Sequence, residues 1–505
     1  MANTIKIGNI EASAVMIGNS AVSAVYIGST KIYPSGGTVD YSKQYLTFEV
    51  VNGGNITIKA SNADVAKTIQ YSTDNGSTWT SLTTSTTAQE LGGTLNVGDK
   101  VLVKGTNTTY GTSSNYNSFG GTAKANVYGN IMSLISGDSF ANNKTLTANY
   151  TFIKLFNSYT NLLSAENLIL PATTLATKCY QEMFKGCKGL TTAPELPATT
   201  LASSCYNYMF NGCTSLTTAP SILPATTLAS FCYYGMFDGC KSLTSAPTLP
   251  ATTLANYCYT SMFNGCTKLV NAPTLPATKL AGGCYNSMFS GCTSLVNTPT
   301  LPATTLTEYC YTTMFSGCKS LTTAPELPSE TLASYCYQYM FLGCTSLTSA
   351  PTLPATTLAD SCYNYMFNGC TNLVNAPTLP ATTLASGCYS GMFSGCINLV
   401  NAPTLPATTL TEYCYQSMFN GCTSLKTAPT LPATTLANSC YNYMFNGCSS
   451  LSYIKCLATD ISATNCTSNW VSNVASTGTF VKAASMTSWT TGVNGVPTGW
   501  TVVTE

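Results

Sequence analysis

The 505 residues carry 20 basic and 19 acidic side chains, a formal net charge of +1, and neither histidine nor arginine. The missing histidine excludes a Ser-His or Cys-His catalytic pair, and the missing arginine, with charged residues at only 8 %, argues against a nucleic-acid groove. A neutral, hydroxyl-rich chain of this length is expected to hold two or more domains.

The opening "MANTIKIGNIEASAVMIGNS" shows no basic n-region and no apolar h-region, so a signal peptide is not expected. No run of eighteen apolar residues offers a membrane span. Residues 1–36 repeat every ten, placing Gly8, Gly18 and Gly28 in phase. Ile5/Ile7, Val15/Ile17 and Val25/Ile27 alternate around those glycines, which reads as short strands with Gly-Asn or Gly-Ser turns. Strands this short make no core alone. They are expected to anchor the chain on a partner or to form an edge meander on the next domain.

Residues 37–130 alternate as "YLTFEVV", "NITIKAS", "TIQYSTD" and "NVGDKVLVKGT", divided by turn-forming "NGG" and "DNGSTW". A small all-β sandwich acting as a spacer is expected there. Residues 131–161 are read as a cap or linker. They contain "GDSF" at 137–140, which matches a hydrolase nucleophile motif, but Ser139 has no histidine to activate it.

Residues 162–451 repeat every 26 residues, with one interval of 27 where "APSILP" carries an extra residue. The first cysteines of the unit fall at 179, 205, 232, 258, 284, 310, 336, 362, 388, 414 and 440. A period of this size predicts a solenoid of eleven turns, each burying its apolar face on its neighbours. With the first cysteine as position 0, the stretch from 0 to +8 is expected to be helical, with Cys, Met and Cys on one face beside Tyr +1 and Phe +5. In "CYNYMFNGC" at 205–213 this core is Cys205, Met209, Phe210 and Cys213. The prolines at +15 and +18 keep the extended parts short. The fold class predicted is therefore mixed α/β: the solenoid, preceded by the sandwich and the N-terminal β-repeat, with residues 452–505 as a C-terminal cap.

A disulfide within a unit is disfavoured by that helix, and zinc by the absence of CxxC and histidine. Cysteine as a small core hydrophobe fits the pattern, so no metal and no cofactor is expected.

The unit "MFNGCTSLTTAPTLPATTLA" resembles the BspA-type leucine-rich repeat, which implies a solenoid. The opening segment, joined to "QYSTDNGSTW" and "YGNIMSLISGDSF", resembles fibre-type virion proteins of crAss-like and related phages of gut Bacteroidetes. The closing "SNWVSNVASTGTFVKAASMTSWTTGVNGVPTGW" resembles the cap of such solenoids. The resemblance implies a structural head or tail fibre, or decoration protein, of a phage particle. Its N-terminal segment would bind other virion proteins, and the protein would be made in the host cytoplasm and carried in the virion. A homo-oligomer is expected, a trimer by the three-fold pattern at the start. The alternative is a bacterial cell-surface adhesin with the same solenoid.

Recognition is expected where the copies differ. Position −1 carries Tyr257, Tyr309, Tyr335 and Tyr413, and +3 carries Tyr208, Tyr339, Tyr365 and Tyr443. Rigid aromatics among small hydroxyl and amide groups suit a host-surface glycan or protein, and the low charge favours a neutral glycan. The plainer reading is that these rings cover the outside of the solenoid. Partners in nucleic acid or membrane are not expected. An enzymatic role is not expected either. A glycosidase needs two carboxylates about 5 to 9.5 Å apart. Glu308 and Glu412 lie four turns apart, and Glu326 and Glu330 sit beside prolines in a variant strand.

Overall fold

The computed structural model describes the strands β1 (Met16–Ile17), β2 (Ser20–Ala21), β3 (Val25–Ile27) and β4 (Thr30–Tyr33), and residues 39–505 apart from 488. β1 pairs antiparallel with β2, Ile17 opposite Ser20, and β3 with β4, Ile27 opposite Thr30. Only two residues, Gly18-Asn19 and Gly28-Ser29, separate each facing pair in sequence, which is the spacing of a two-residue hairpin loop. Ile17, Val25 and Ile27 fall in these strands, whereas Ile5, Ile7 and Val15 lie outside the described residues.

Eight further strands build the next region: β5 (Leu46–Asn52), β6 (Ile56–Ala60), β7 (Thr68–Ser72), β8 (Thr80–Thr83), β9 (Gln89–Glu90), β10 (Lys100–Gly105), β11 (Asn117–Gly121) and β12 (Lys124–Asn130). They form two sheets, one ordered β12-β5-β10-β7-β8 and the other β11-β6-β9. The period-2 pattern decides which side chains go inward: β6 buries Ile56, Ile58 and Ala60 and exposes Lys59. Asp138 of "GDSF" accepts from Lys104 Nζ at 2.7 Å and Tyr45 Oη at 2.8 Å, so that motif ties a 3-10 turn to the sheet, while Ser139 is exposed.

The sandwich is continuous with the repeat region. β12 pairs parallel with β13 (Leu162–Ser164) and β14 (Leu168–Ile169), and Phe119 N donates to Leu155 O at 2.7 Å. Phe48, Phe119 and Phe156 touch in sequence, and Phe156 stacks on Phe184 at 5.1 Å. The sandwich core thus runs into the repeat core and closes its first end.

The repeat is a stack of coils, and the expected helix is not there. Among the described residues the only α-helix is the four-residue α1 (Ser133–Ser136). From 0 to +8 the backbone instead splits its donors. Even positions bond back three residues within the coil: Asn207 N to Ser204 O, Met209 N to Tyr206 O, Asn211 N to Tyr208 O. Odd positions bond to the next coil: Tyr206 N to Cys232 O, Tyr208 N to Tyr234 O, Phe210 N to Met236 O, Gly212 N to Asp238 O. Every donor is satisfied, which a buried backbone requires. Every fourth residue is left-handed, as at Ser204 (φ 57°), Tyr208 (φ 53°) and Gly212 (φ 73°). A helix tolerates no such residue. In the turn closed by Met209 N and Tyr206 O, Tyr208 occupies the third place, where a type II turn requires positive φ.

The expectation of mixed α/β is corrected accordingly to strands and turns. Its core assignment stands, because a four-residue repeat also brings 0, +1, +4, +5 and +8 inward. Cys205, Met209, Phe210 and Cys213 are completely buried. Tyr +1 stacks in a column from Phe152 through Tyr180 and Tyr206 to Tyr441 and Trp470, and Phe +5 in a second from Phe156 to Phe445. The extended parts touch through single parallel bridges, such as Thr174 with Thr200 and Thr192 with Thr218.

Both ends hold a variant coil that lacks the paired cysteines. Tyr150, Lys154 and Ser158 are left-handed in register with Lys178, Glu182 and Gly186, and Asn465, Asn469 and Asn473 repeat the pattern after the last unit. Trp470 then closes the aromatic columns, stacked on Tyr441 at 6.1 Å and on Trp489 at 5.7 Å, its Nε1 donating to Gly495 O at 2.9 Å. A parallel sheet of β15 (Tyr453–Cys456), β16 (Thr479–Lys482) and β17 (Thr501–Thr504) extends the ladder. No helix among the described residues is long and apolar enough to cross a membrane.

Candidate recognition face

With 0, +1, +4, +5 and +8 inside, positions −1, +2, +3, +6 and +7 form the outer strip of each coil. All eight candidate tyrosines sit on the left-handed points of that strip, with φ between 52° and 59°. A left-handed residue other than glycine costs roughly 1 kcal/mol or more. The coil imposes that cost at −1 and +3 whatever the side chain, so residue choice there is open to other demands. At +7 φ is larger, 69° to 76° in coils whose 0 position lies between Cys179 and Cys440, and every such residue is glycine.

Six of the eight tyrosines meet another aromatic ring. Tyr309 stacks on Tyr335 at 4.8 Å with the planes 2° apart, and Tyr339 on Tyr365 at 5.5 Å. Tyr257 stacks on Phe231 at 5.1 Å, and Tyr208 meets Tyr234 edge-on at 5.2 Å. Tyr234, at +2, also lies 5.9 Å from Phe231 and so joins Tyr208, Phe231 and Tyr257 into one cluster. Sequence reasoning passed over Tyr234 because it followed −1 and +3 down their columns and did not foresee that +2 of one coil meets +3 of the coil before it. Tyr413 and Tyr443 stand apart, although Asn469 Nδ2 donates to Tyr443 Oη at 3.3 Å. Tyr257, Tyr309, Tyr413 and Tyr443 are exposed, and Tyr208, Tyr335, Tyr339 and Tyr365 are half-buried.

Amides and hydroxyls surround the rings. Asp238 is held between two coils, Asn211 Nδ2 donating to Oδ2 and Asn264 Nδ2 to Oδ1, each at 2.9 Å. Burial raises its pKa, against the lowering effect of those two donors. Lys185 lies 5.1 Å from the Tyr208 ring centre and 3.0 Å from Glu182, so charge concentrates at the first end of the face.

Among the described residues no three acidic or cysteine side chains gather as a metal-holding group. A shallow cleft of about 300 Å³, lined by Thr298, Pro299, Pro302, Pro325 and Pro328, holds Glu326, which accepts from Thr352 Oγ1 at 3.3 Å. Glu330 is not part of its wall. All 24 cysteines are free and buried. Each +8 thiol in the coils donates to the Phe +5 carbonyl of the preceding coil, as Cys240 does to Phe210 O at 3.2 Å.

Residues 151–285, 284–392 and 334–474 match the model of the BspA type leucine rich repeat region, well over half of the chain. The chain belongs to that family. The matched BspA-type region begins and ends with the two variant coils, and all eight candidate tyrosines lie within it. The chain is also similar to a leucine rich cell surface protein from Faecalibacterium prausnitzii A2-165, known from a crystal structure. The identity is 16 %, the TM-score is 0.30, and the match covers 66 % of this chain and 90 % of that one. No curated protein matches.

Proposed function

We propose that this BspA-type protein is a non-enzymatic recognition scaffold, a solenoid that presents its outer aromatic strip to a neutral glycan on a host surface. One observation carries the reading: the tyrosines occupy the positions where the coil fixes the backbone but not the side chain, and they cluster there. Tyr, Ser, Asn and Gly at such points give area and hydrogen bonding with little conformational entropy to lose. The scarcity of charge on most of the strip fits a neutral ligand, and Glu308 and Glu412, four coils apart, are too far from each other to act as a glycosidase pair.

The setting we favour is a head or tail fibre of a phage particle, anchored on other virion proteins through residues 1–36 and assembled as a homo-oligomer, with a trimer as the starting expectation. It rests on the resemblance of the terminal segments. A cell-surface adhesin is the rival setting, and the repeat family accommodates both.

Binding of the purified full chain to intact gut bacteria and to isolated surface polysaccharides tests the recognition role. Binding that weakens when Tyr309, Tyr335, Tyr339 and Tyr365 together become serine supports it, and binding indifferent to that change overturns it. Gold-labelled antibody decides the setting. Label on particles supports the fibre, and label on uninfected cells supports the adhesin.

A further inference from the structure

One junction of the stack, between the coils that start at Cys284 and Cys310, departs from its neighbours in the extended segments. Thr298 stands where the adjoining coils place Ala272 and Ala324, Glu326 where they place Thr300 and Thr352, and Ser329 where they place Ala303 and Ala355. Parallel bridges join Asn271 to Asn297 and Thr323 to Ser349, and likewise Lys279 to Thr305 and Thr331 to Thr357. Among the described residues none joins Asn297 to Thr323 or Thr305 to Thr331. Ser329, completely buried, spans that break instead, its Oγ 2.9 Å from Thr304 O. The cleft of about 300 Å³ beside Glu326 opens at this unbridged junction.

The walls of the cleft are prolines, Pro299 and Pro302 from one coil and Pro325 and Pro328 from the next, over the buried Leu301. A proline ring offers C–H surface and no N–H donor, so these walls suit a hydrocarbon. The one charged group in the lining is Glu326. It is exposed and in no ion pair among the described residues. It accepts one bond, on Oε2, from Thr352 Oγ1 at 3.3 Å, which leaves Oε1 to a ligand. Glu195 is the contrast. It holds the same place in the coil that starts at Cys179, but Ser221 takes both of its oxygens: N lies 3.1 Å from Oε1, and Oγ 3.0 Å from Oε2.

We propose that this cleft receives the side chain of a lysine on a partner protein, its aliphatic stem against the four prolines and its ammonium on Oε1 of Glu326. An apolar trough with one carboxylate at its rim complements a hydrocarbon stem that ends in a cation. The engaged Oε2 favours lysine over arginine, whose planar fork pairs with both oxygens of a carboxylate. The shallowness of the cleft favours a side chain over a free amine. A small molecule is held where most of its surface is buried, and here a partner protein must supply the remaining cover. The cleft lies at positions +14 to +18, away from the tyrosines at −1 and +3, so it stands or falls independently of glycan recognition.

The test is a nuclear magnetic resonance titration of the full chain with labelled leucine methyl groups, Leu301 being the reporter. The probes are the blocked peptide Gly-Gly-Lys-Gly-Gly, its norleucine and arginine counterparts, and free cadaverine. A saturable shift at Leu301 with the lysine peptide, weaker with the other three, supports the proposal. Glu326→Gln weakens the lysine peptide by about threefold or more, the worth of an exposed ion pair, and Glu195→Gln leaves it unchanged. Should E326Q fail to fold, Glu326→Thr introduces the residue that the adjoining coils already carry there. A Leu301 signal that ignores the lysine peptide, responds equally to norleucine, or is indifferent to E326Q and E326T overturns the site. A tighter response to arginine overturns the choice of lysine, and one to cadaverine overturns the partner protein.

Discussion

Cys213 donates its thiol hydrogen to the carbonyl oxygen of Phe184, 3.0 Å away in the preceding coil. That carbonyl already accepts Cys187 N at 3.0 Å within its own coil, so the thiol fills its second lone pair. The 0 column is chemically different. Among the described residues the 0 thiols find no such carbonyl, except Cys440, which lies 3.9 Å from Cys466 O, and Cys466 in the last coil, which donates to Ile461 O at 3.2 Å. The two cysteines of "CYNYMFNGC" therefore answer unequally to serine. At +8 the hydroxyl of Cys213→Ser inherits the acceptor. At 0 the hydroxyl of Cys205→Ser is buried without one, at a cost of about 1–3 kcal/mol. Urea unfolding is expected to show C205S less stable than C213S by at least about 1 kcal/mol. Equal losses would mean that the thiol bond contributes nothing.

The same burial predicts an asymmetric pH profile. Desolvation pushes both Cys205 and Cys213 up to about 12, and it raises Tyr206 as well. In the unfolded chain a thiol titrates near about 8.5 and a tyrosine near about 10. Their contribution is complete below the unfolded values and is lost as pH rises toward the folded ones, since only the unfolded chain sheds protons in that window. Each such group removes about 1.4 kcal/mol per pH unit, and two cysteine columns act together. Circular dichroism should show a cooperative alkaline collapse that begins between about pH 9 and 10. On the acid side there is no histidine to charge. Asp74, held at about 2 chiefly by the Thr78 hydroxyl, is fully exposed, and Asp238, raised by burial, weakens the fold as pH rises rather than as it falls, so stability should not drop down to about pH 4. A melting temperature unchanged between about pH 8 and 10.5 would contradict the buried-thiol account.

Glycine at +7 answers to backbone angle rather than to space. A Cβ on Gly212 would find nothing closer than Gly186 at 3.9 Å, but φ is 73°. The last coil places Asn473 at the same point with φ 60°. Gly212→Asn is therefore expected to cost less than about 1 kcal/mol, and Gly212→Val, β-branched at positive φ, about 2 kcal/mol or more. Thermal unfolding of the two variants separates the effects, and equal losses would point to packing instead.

The inward residues were legible in the sequence because packing alone fixes them, and both a helix and this coil bring 0, +4 and +8 to one side. The backbone was misread because the spacing was taken as approximate. A strict interval of four, from Cys205 through Met209 to Cys213, drifts about 40° around a 3.6-residue helix over each step. A glycine at +7 in all eleven units was a further sign of an enforced left-handed point. Tyr234 stayed hidden because its contact with Tyr208 crosses between coils, and which outer positions adjoin there depends on the backbone path. The terminal coils around Tyr150 and Asn465 fell inside segments read only as caps, because they keep the backbone but drop the cysteine pair, the last one retaining Cys466 alone.

Trp470 should set the stability of the far end. In a stacked repeat each coil is held only by its neighbours, so the last one relies on whatever covers it. Here a single indole covers Tyr441 and Phe445, meets Phe480 edge-on at 6.2 Å and spends its N–H on Gly495. Truncation to alanine removes the ring that bridges Tyr441 to Trp489 and opens a cavity, which costs about 3–5 kcal/mol. Because coupling passes only between adjacent coils, the loss should be local. Hydrogen exchange on Trp470→Ala is expected to rise first at Tyr441, Tyr443 and Phe445, whose amides donate to the last coil, and to leave Tyr180 and Phe184 protected. Exchange that rises equally along the chain would instead show that the column unfolds as one unit.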